Sequence, residues 1–136
     1  MFFEMTYQVR VPDIKEGQKW YEIFLNKAPD FIPHEGFAEW ELIPGCWLQV
    51  AEGKPAEGSG PLRLAVKDIK GEKERLVCDL NVENFEILSR QEVPVKWASF
   101  TDPWGNRIGL FEYISKSEEK ERIHTIWGGR NGTKDT

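Results

Sequence analysis

The strongest constraint on the fold is a repeat, because the second half of the chain follows the pattern of the first. At a shift of 55 residues, Val11-Pro12-Asp13-Ile14-Lys15 lies over Val66-Lys67-Asp68-Ile69-Lys70. The same shift places Leu25-Asn26 over Leu80-Asn81. A repeat of this length indicates that one supersecondary unit has been duplicated.

The clearest turn lies near the end of the second unit, at Asp102-Pro103-Trp104-Gly105-Asn106. Its aspartate can accept a hydrogen bond from the backbone two residues on, its proline presets φ, and its glycine supplies a positive φ. Strands are therefore predicted on both sides, as a β-hairpin. At a slightly longer shift, the hairpin with Pro44-Gly45 lies over this one, and Glu52 lies over Glu112.

Strand alternation and helical spacing predict the same order of five elements in both units. In the first unit they are Met5 to Val11, a helix from Glu16 to Lys27, a short strand near Phe31-Ile32, Phe37 to Ile43, and Cys46 to Glu52. In the second unit they are Pro61 to Val66, a helix from Lys70 to Leu80, Phe85 to Gln91, Val95 to Thr101, and Arg107 to Tyr113. Each unit is thus a β-α-β-β-β module, and residues 53–60, which contain Gly and Pro without periodicity, form a linker.

Alternation also sorts the side chains of each strand into two faces. The apolar faces, expected under the helices, hold Val9, Val11, Leu62, Leu64 and Val66. The opposite, concave side is expected to hold Thr6, Gln8, Arg10 and Arg63. On the closing strands, the cleft is expected to include Leu48 and Val50 beside Glu52, and Ile108 and Leu110 beside Glu112.

Composition excludes several classes of protein. A length of 136 residues corresponds to one domain, and the net charge of −5 argues against a nucleic-acid partner, which needs a basic face. No apolar run approaches the length of a membrane span, and the N-terminus lacks the pattern of a signal peptide. Two cysteines, Cys46 and Cys78, make no disulfide framework, so a cytoplasmic protein is expected.

Two such modules, the second closing with Asp-Pro-x-Gly-Asn and a strand that ends on Glu, resemble the vicinal oxygen chelate superfamily of glyoxalases, bleomycin resistance proteins and extradiol dioxygenases. The resemblance covers residues 5–113. It implies an α+β fold in which two modules, residues 5–52 and 61–113, pair edge to edge into an incomplete barrel around a cleft, with the helices outside. Residues 1–114 would be a single domain and residues 115–136 a charged tail. Because relatives pair modules within or across chains, a homodimer is expected.

The resemblance also implies where a metal would bind. In metal-dependent members, the ligands lie at the start of each module's first strand and at the end of its last, here Thr6, Glu52, Pro61 and Glu112. The two usual histidines are replaced, so no cofactor is expected. A divalent metal such as Mg²⁺ or Mn²⁺ on the two carboxylates stays open.

Three functions follow from this pattern. The leading hypothesis is a metal-independent small-molecule binding protein of the bleomycin-resistance type. The second is a glyoxalase-like or dioxygenase-like lyase, isomerase or oxidoreductase that uses Glu112, with Glu52 and an unusual divalent metal. The third is a protein-interaction module with a vestigial cleft.

The expected site has one candidate catalytic residue, Glu112. The candidate ligand-binding residues are Gln8, Arg10, Glu52, Arg63, Trp40, Trp47 and Trp97. Tryptophans and glutamates would suit a flat or cationic ligand, whereas the two arginines would suit a carboxylate, and both chemistries stay open, as does plain core packing of each tryptophan. The arginines are expected to lower the pKa of Glu112.

The tail after Tyr113 falls outside the resemblance. Lys116 to Trp127 is predicted to form a helix that brings Ile123, Ile126 and Trp127 together, supported by pairing of Glu118 with Arg122. Residues 128–136 are predicted to be unstructured.

Overall fold

The computed structural model describes residues 1–128, which form an α+β fold of two three-stranded sheets and three α-helices without a closed barrel. The first module contains β1 (Met5–Val11), α1 (Ile14–Leu25), β2 (Phe37–Ile43) and β3 (Cys46–Glu52). The second contains β4 (Leu62–Ala65), α2 (Ile69–Leu80), β5 (Val95–Thr101) and β6 (Arg107–Tyr113). The helix α3 (Lys116–Ile123) follows, and a π-helical turn, His124–Gly128, continues it.

Both sheets have the same topology, as the repeat predicts. The first has the order β1-β3-β2 and the second the order β4-β6-β5. In each sheet the module's first strand pairs in parallel with its last strand, and the two strands of the hairpin pair antiparallel. The element order of both modules is therefore the predicted one, apart from one strand in each.

The second predicted strand of each module is reduced to a single bridge. Phe31 pairs only with Glu39, and Leu88 only with Trp97. The prediction of strands near Phe31-Ile32 and over 85–91 is thus wrong in extent. Prolines at 29 and 33 deprive the first segment of ladder donors. In the second, Phe85 is buried in the core, with its ring stacked 5.1 Å from that of Phe100.

The repeated residues prove to be helix caps. Asp13 and Asp68 are the N-caps of α1 and α2, and each side chain accepts backbone N–H groups of the first turn. Asn26 and Asn81 end the same helices in the left-handed conformation, with φ of 57° and 53°. Because the caps fix the helix ends, α1 begins and ends two residues earlier than its apolar spacing predicts, whereas α2 begins one residue earlier and ends at Leu80 as predicted.

The two modules share one core, and they meet through their helices. Apolar residues from the helix-facing sides of both sheets belong to a single buried cluster. Phe24 of α1 packs edge-on against Phe100 of β5 at 5.9 Å. Arg75 of α2 donates two hydrogen bonds of 2.7 Å to the carbonyls of Ile23 and Phe24. The described strands of the two sheets do not pair with each other, so the expected edge-to-edge pairing is absent within this stretch of the chain.

A prediction concerns the close approach of α1 to β1. An alanine at Gly17 would place its Cβ against the buried side chain of Val11, with the Val11 Cβ only 3.0 Å away. Overpacking of this kind costs about 1–3 kcal/mol, which exceeds the helix propensity that alanine adds. Gly17→Ala is expected to lower the free energy of unfolding by about 1–2 kcal/mol in urea denaturation.

The matched test is the double variant Gly17→Ala with Val11→Ala. Removing the valine side chain frees the space that the new methyl group needs, so the combined cost should be smaller than the sum of the single costs. Simple additivity of the two costs would contradict the predicted contact.

The described part of the tail is helical. Ser115 caps α3, and Glu118 pairs with Arg122 at 3.0 Å as predicted. The α-helix ends at Ile123, four residues before the predicted end, and Trp127 lies in the π-helical turn. The predicted unstructured segment, apart from residue 128, lies outside the described residues. Among residues 1–128, no helix is both long and apolar enough to cross a membrane.

Candidate ligand-binding site

Each sheet has one face that its helix covers and one face that it leaves open. Directly paired residues project from the same face, so the register defines both. The first open face includes Thr6, Gln8, Arg10, Phe37, Glu39, Glu41, Trp47 and Gln49. The second open face consists of Arg63, Trp97, Ser99, Gly109 and Phe111. The predicted concave residues Thr6, Gln8, Arg10 and Arg63 all lie on these open faces.

The first open face is polar along its centre. Gln8 donates to the Gln49 side chain at 3.3 Å, and Gln49 donates to Glu39 at 3.2 Å, which makes a row of hydrogen bonds across all three strands. At one end of the row, Trp47 packs its half-buried ring 5.8 Å from that of Phe31. Amide and carboxylate groups beside an aromatic wall suit a small polar ligand.

The second open face is built around Arg63. Its guanidinium lies 4.9 Å from the centre of the Phe111 ring, within cation–π range. Trp97 pairs directly with Phe111 and adds a second half-buried ring. Gly109 pairs with Arg63, and a Cβ at that position would lie 3.2 Å from the Arg63 Cγ. The missing side chain thus gives the arginine stem room to lie along the sheet.

Both predicted arginines keep their guanidinium groups available. Arg10 and Arg63 are exposed, and neither guanidinium forms a hydrogen bond or an ion pair with any of residues 1–128. By contrast, Arg107, at the other end of β6, is engaged with the backbone carbonyls of 58, 59 and 60. The two open faces therefore each offer one unpaired cation.

Trp40 does not line the open face, which corrects its predicted placement. It is fully buried, and its Nε1 donates to the Lys27 carbonyl at 2.9 Å. Trp40 pairs with Leu48, which shares the helix-covered face. Trp47, one strand away, projects from the opposite face. Sequence spacing alone does not distinguish these two tryptophans, because a one-residue difference in strand phase exchanges the faces.

Glu52 and Glu112 also lie on the helix-covered side, with Leu48, Val50, Ile108 and Leu110. Parallel pairing sets Glu52 opposite Val11, and Leu110 opposite Leu64. The expectation that this face lines the cleft is therefore wrong. The strands that carry the glutamates turn the same side toward the helices as β1 and β4 do, because paired residues share a face.

Each of these glutamates holds the start of its own helix. Glu52 accepts the Ile14 N–H at 3.0 Å, and Glu112 accepts the Ile69 N–H at 2.7 Å. Ile14 and Ile69 are partners at the 55-residue shift, so the repeat preserves this contact in both modules. A carboxylate that accepts a free N–H of the first helical turn is stabilising.

Glu112 is 7% exposed and is paired with lysines. Burial raises the pKa of Glu112, but the hydrogen bond from the Ile69 N–H and the charges of Lys116 and Lys96 outweigh it, so the pKa lies below its ordinary value of 4.5. The Lys116 and Lys96 ammonium groups are 2.9 Å and 3.7 Å from Oε2. The predicted direction is confirmed, but the predicted cause is wrong, since lysines rather than arginines are the partners.

A pH dependence follows from the lowered pKa of Glu112. As the pH falls, the unfolded chain takes up the proton before the folded protein does, because the pKa of Glu112 is lower in the folded state. The stability that this carboxylate contributes is therefore fully present well above pH 4.5 and is lost as the pH falls through the folded-state pKa. We expect Glu112→Gln to cost about 1–2 kcal/mol of unfolding free energy at pH 7 and progressively less as the pH falls below 4.5. Urea denaturation across this pH range measures the difference.

The matched control is Glu86→Gln, since Glu86 is exposed and has no charged partner among the described residues. It should change stability little at any pH. A Glu112→Gln cost that does not shrink in acid would contradict the assignment.

Several open-face residues are not predicted from the sequence, among them Gln49, Gly109 and Phe111. Strand alternation could have identified these residues, because they alternate with the apolar residues of β3 and β6. Once Leu48 and Leu110 are placed under the helices with Leu64, their neighbours in sequence must face outward.

The donor set for a metal is poor. Residues 1–128 contain no group of three or more His, Cys, Asp or Glu side chains placed to hold a metal ion. Thr6 lies on an open face, whereas Glu52 lies on the helix-covered side, and Pro61 precedes β4. The residues at the expected ligand positions therefore do not fit a shared metal.

No protein-family model and no curated protein matches this sequence. Solved structures do match. A glyoxalase / bleomycin resistance protein from Catenulispora acidiphila DSM 44928 is 26% identical with a TM-score of 0.66, over 82% of this chain and 98% of that one. A glyoxalase-related enzyme from Clostridium phytofermentans is 16% identical, with a TM-score of 0.66 over 84% and 97% of the two chains.

A genomically encoded fosfomycin resistance protein from Listeria monocytogenes is also similar, at 14% identity and a TM-score of 0.62 over 82% and 92% of the two chains. These proteins belong to the vicinal oxygen chelate superfamily. The chain has the fold of that superfamily, which confirms the resemblance noted in the sequence. This fold supports a small-molecule-binding or enzymatic role.

Proposed function

We propose that this chain is a metal-independent small-molecule binding protein of the bleomycin-resistance type, and that its ligand is a flat molecule with an acidic group. The main support for this proposal comes from the second open face, where an exposed and unpaired Arg63 lies over the Phe111 ring. A guanidinium stacked on an aromatic ring keeps its edge donors free for a carboxylate, and the neighbouring Trp97 extends the surface on which a planar body would stack.

The proposal includes a homodimer, in which the first open face of one chain meets the second open face of its partner. The two sheets of one chain turn their helix-covered sides toward a shared core, as the contact of Phe24 with Phe100 shows. Their open faces therefore point away from each other. A cleft that uses both Arg10 and Arg63 needs a second copy of the chain, arranged with two-fold symmetry.

Such a cleft would surround the ligand with two cations, a row of amides and the half-buried rings of Phe37, Trp47, Trp97 and Phe111. Arg10 on one face and Arg63 on the other would favour an anion over the cationic ligand that the glutamates suggested. Of those glutamates, Glu52 and Glu112 are occupied with helix N-termini. The second open face thus leaves the Arg63 charge unpaired, whereas on the first open face Arg10 shares the surface with the Glu39 carboxylate, which accepts a hydrogen bond from Gln49.

Metal independence is proposed from the same contacts. The alternative of an enzyme that uses Glu112 with Glu52 on a divalent metal would require both carboxylates to leave their helices. Nothing in the open faces replaces them as a metal-binding group of three or more acidic, His or Cys side chains within residues 1–128. The contacts of the two glutamates favour a stabilising role.

A ligand screen by thermal denaturation tests the proposed function. A panel of aromatic acids, matched neutral amides and aromatic amines is added to protein treated with a chelator. Binding to the native state raises the midpoint. The proposal expects stabilisation by acids but not by the amides or amines, unchanged on adding Mg²⁺ or Mn²⁺. Stabilisation that appears only with metal would favour the enzyme, and stabilisation by no compound would favour the interaction module.

A further inference from the structure

The outer edge of the second sheet carries backbone groups without partners. Trp97 of β5 exchanges both hydrogen bonds of its backbone with Leu88, at 3.0 Å and 2.8 Å. Alternate residues of a strand turn their N–H and C=O groups to the same side, so Ser99 and Thr101 turn theirs to this outer edge. Neither forms a hydrogen bond there with any residue of the described range 1–128.

The matching edge of the first module is closed. There Glu39 forms the bridge, and Glu41, two residues on, corresponds to Ser99. The Glu41 N–H donates to the Asp30 carboxylate at 2.7 Å, and the Glu41 carbonyl accepts from the Lys27 ammonium at 3.1 Å. The first module thus supplies one acceptor and one donor to this position, whereas the second module supplies neither.

The difference arises from the connection after each helix. In the first module, the bridge residue Phe31 comes five residues after the helix cap Asn26. In the second module, the bridge residue Leu88 comes seven residues after the cap Asn81. A cavity of about 460 Å³ lies between the start of this longer connection, residues 80–85, and residues 99–103 of β5 and the turn after it. Volumes of this size are typical of small-ligand pockets.

The cavity has an aromatic wall and a polar edge. Trp20, Phe85 and Phe100 line it, and each of these side chains is at least nine-tenths buried. Ser99 and Thr101, whose outer N–H and C=O groups have no partner among the described residues, also line it. The Trp20 indole N–H is buried and has no partner in the described residues. The cavity therefore combines apolar surface with unsatisfied backbone donors and acceptors.

We propose that this cavity binds a small secondary-amide molecule with an aromatic or aliphatic group, of the type of a blocked amino acid. Its N–H donates to the Ser99 carbonyl and its C=O accepts from the Ser99 N–H, as a paired residue of a neighbouring strand does. The apolar group packs against the three rings. This site lies at the strand edge and is separate from the cleft of the open faces.

The test uses the whole chain and the probe N-acetyl-L-phenylalanine N-methylamide. Titration followed by ¹⁵N NMR should give saturable shifts at the backbone N–H groups of Ser99 and Thr101 and at the Trp20 indole. Ser99→Pro removes the donor without breaking the ladder, since proline is tolerated where the strand N–H faces the edge. We expect it to weaken binding about tenfold or more, while the control Ser99→Ala, which keeps the backbone N–H, binds like the unaltered protein.

A second comparison does not depend on folding of the proline variant. The probe with a methyl group on its phenylalanine nitrogen cannot donate to the Ser99 carbonyl, and it should bind the unaltered protein about tenfold more weakly. Equal binding of the two probes would overturn the proposal. So would an absence of saturable shifts, or shifts centred on Arg63 and Phe111 instead of Ser99, Thr101 and Trp20.

Discussion

Replacing Asp102 by alanine is expected to lower the free energy of unfolding by about 3–5 kcal/mol, the largest effect of any substitution considered. The Asp102 carboxylate is 3% exposed and accepts four hydrogen bonds. The donors are the Tyr21 hydroxyl at 2.7 Å, the Asn106 side chain at 2.7 Å, the Asn106 N–H at 2.8 Å and the Trp104 N–H at 3.0 Å.

The cost is large because alanine would leave several buried donors without partners. It is also large because the network joins the modules. Tyr21 belongs to α1, and the Asn106 amide donates at the same time to the Arg10 carbonyl of β1 at 3.0 Å. Burial and the neighbouring Asp102 raise the pKa of Tyr21, so its hydroxyl remains a donor across the accessible pH range.

Urea denaturation of Asp102→Ala measures this prediction, with two comparisons. Tyr21→Phe removes one donor and should cost about 1–2 kcal/mol. Asp79→Ala removes an exposed aspartate and should change stability by no more than about 0.5 kcal/mol. If Asp102→Ala costs no more than Tyr21→Phe, then the network does not hold the modules together.

Replacing Arg63 by glutamate is expected to weaken binding of an acidic ligand from the screen by at least about a hundredfold. A charge-assisted contact is exchanged for like-charge repulsion, and the cation–π contact with Phe111 is lost. The fold should be retained, because Arg63 is exposed and forms no hydrogen bond or ion pair with the described residues.

Isothermal titration calorimetry measures this loss, and Arg90→Glu is the matched control. Arg90 is exposed and lies outside both open faces, and among residues 1–128 it pairs only with Glu92. Its reversal should leave affinity nearly unchanged. Arg63→Lys keeps the charge but loses the planar guanidinium group, so its affinity for the acidic ligand should lie between those of Arg63→Glu and Arg90→Glu. Equal weakening by Arg63→Glu and Arg90→Glu would mean that only the overall charge of the protein matters.

Much of the fold could be predicted from the sequence, because the repeat preserves residues that fix local geometry. Asp13 and Asp68 cap helices, Asn26 and Asn81 end them, and the turn at Asp102 forms the predicted hydrogen bond to the backbone two residues on. These are short-range interactions, and their spacing in the sequence is their spacing in space.

The candidate site was harder to predict, since it depends on how strands align. The position of Glu52 and Glu112 at strand ends predicts that they line the cleft, yet the parallel register turns both toward the helices. Trp40 and Trp47 face opposite ways for the same reason. Alternation gives the two faces of a strand, but only pairing with neighbours decides which face is covered.

A mixture of two variants, Arg10→Met and Arg63→Met, tests the central claim most directly. Each variant alone should lose binding of the acidic ligand in chelator-treated protein. In a cleft shared between two chains, equal mixing with exchange of subunits should rebuild one intact cleft in each mixed dimer, so that about a quarter of all clefts bind with the original affinity. Recovery of that fraction by calorimetry is the predicted result. A mixture that binds no better than either variant, or a binding-competent monomer, would contradict the account.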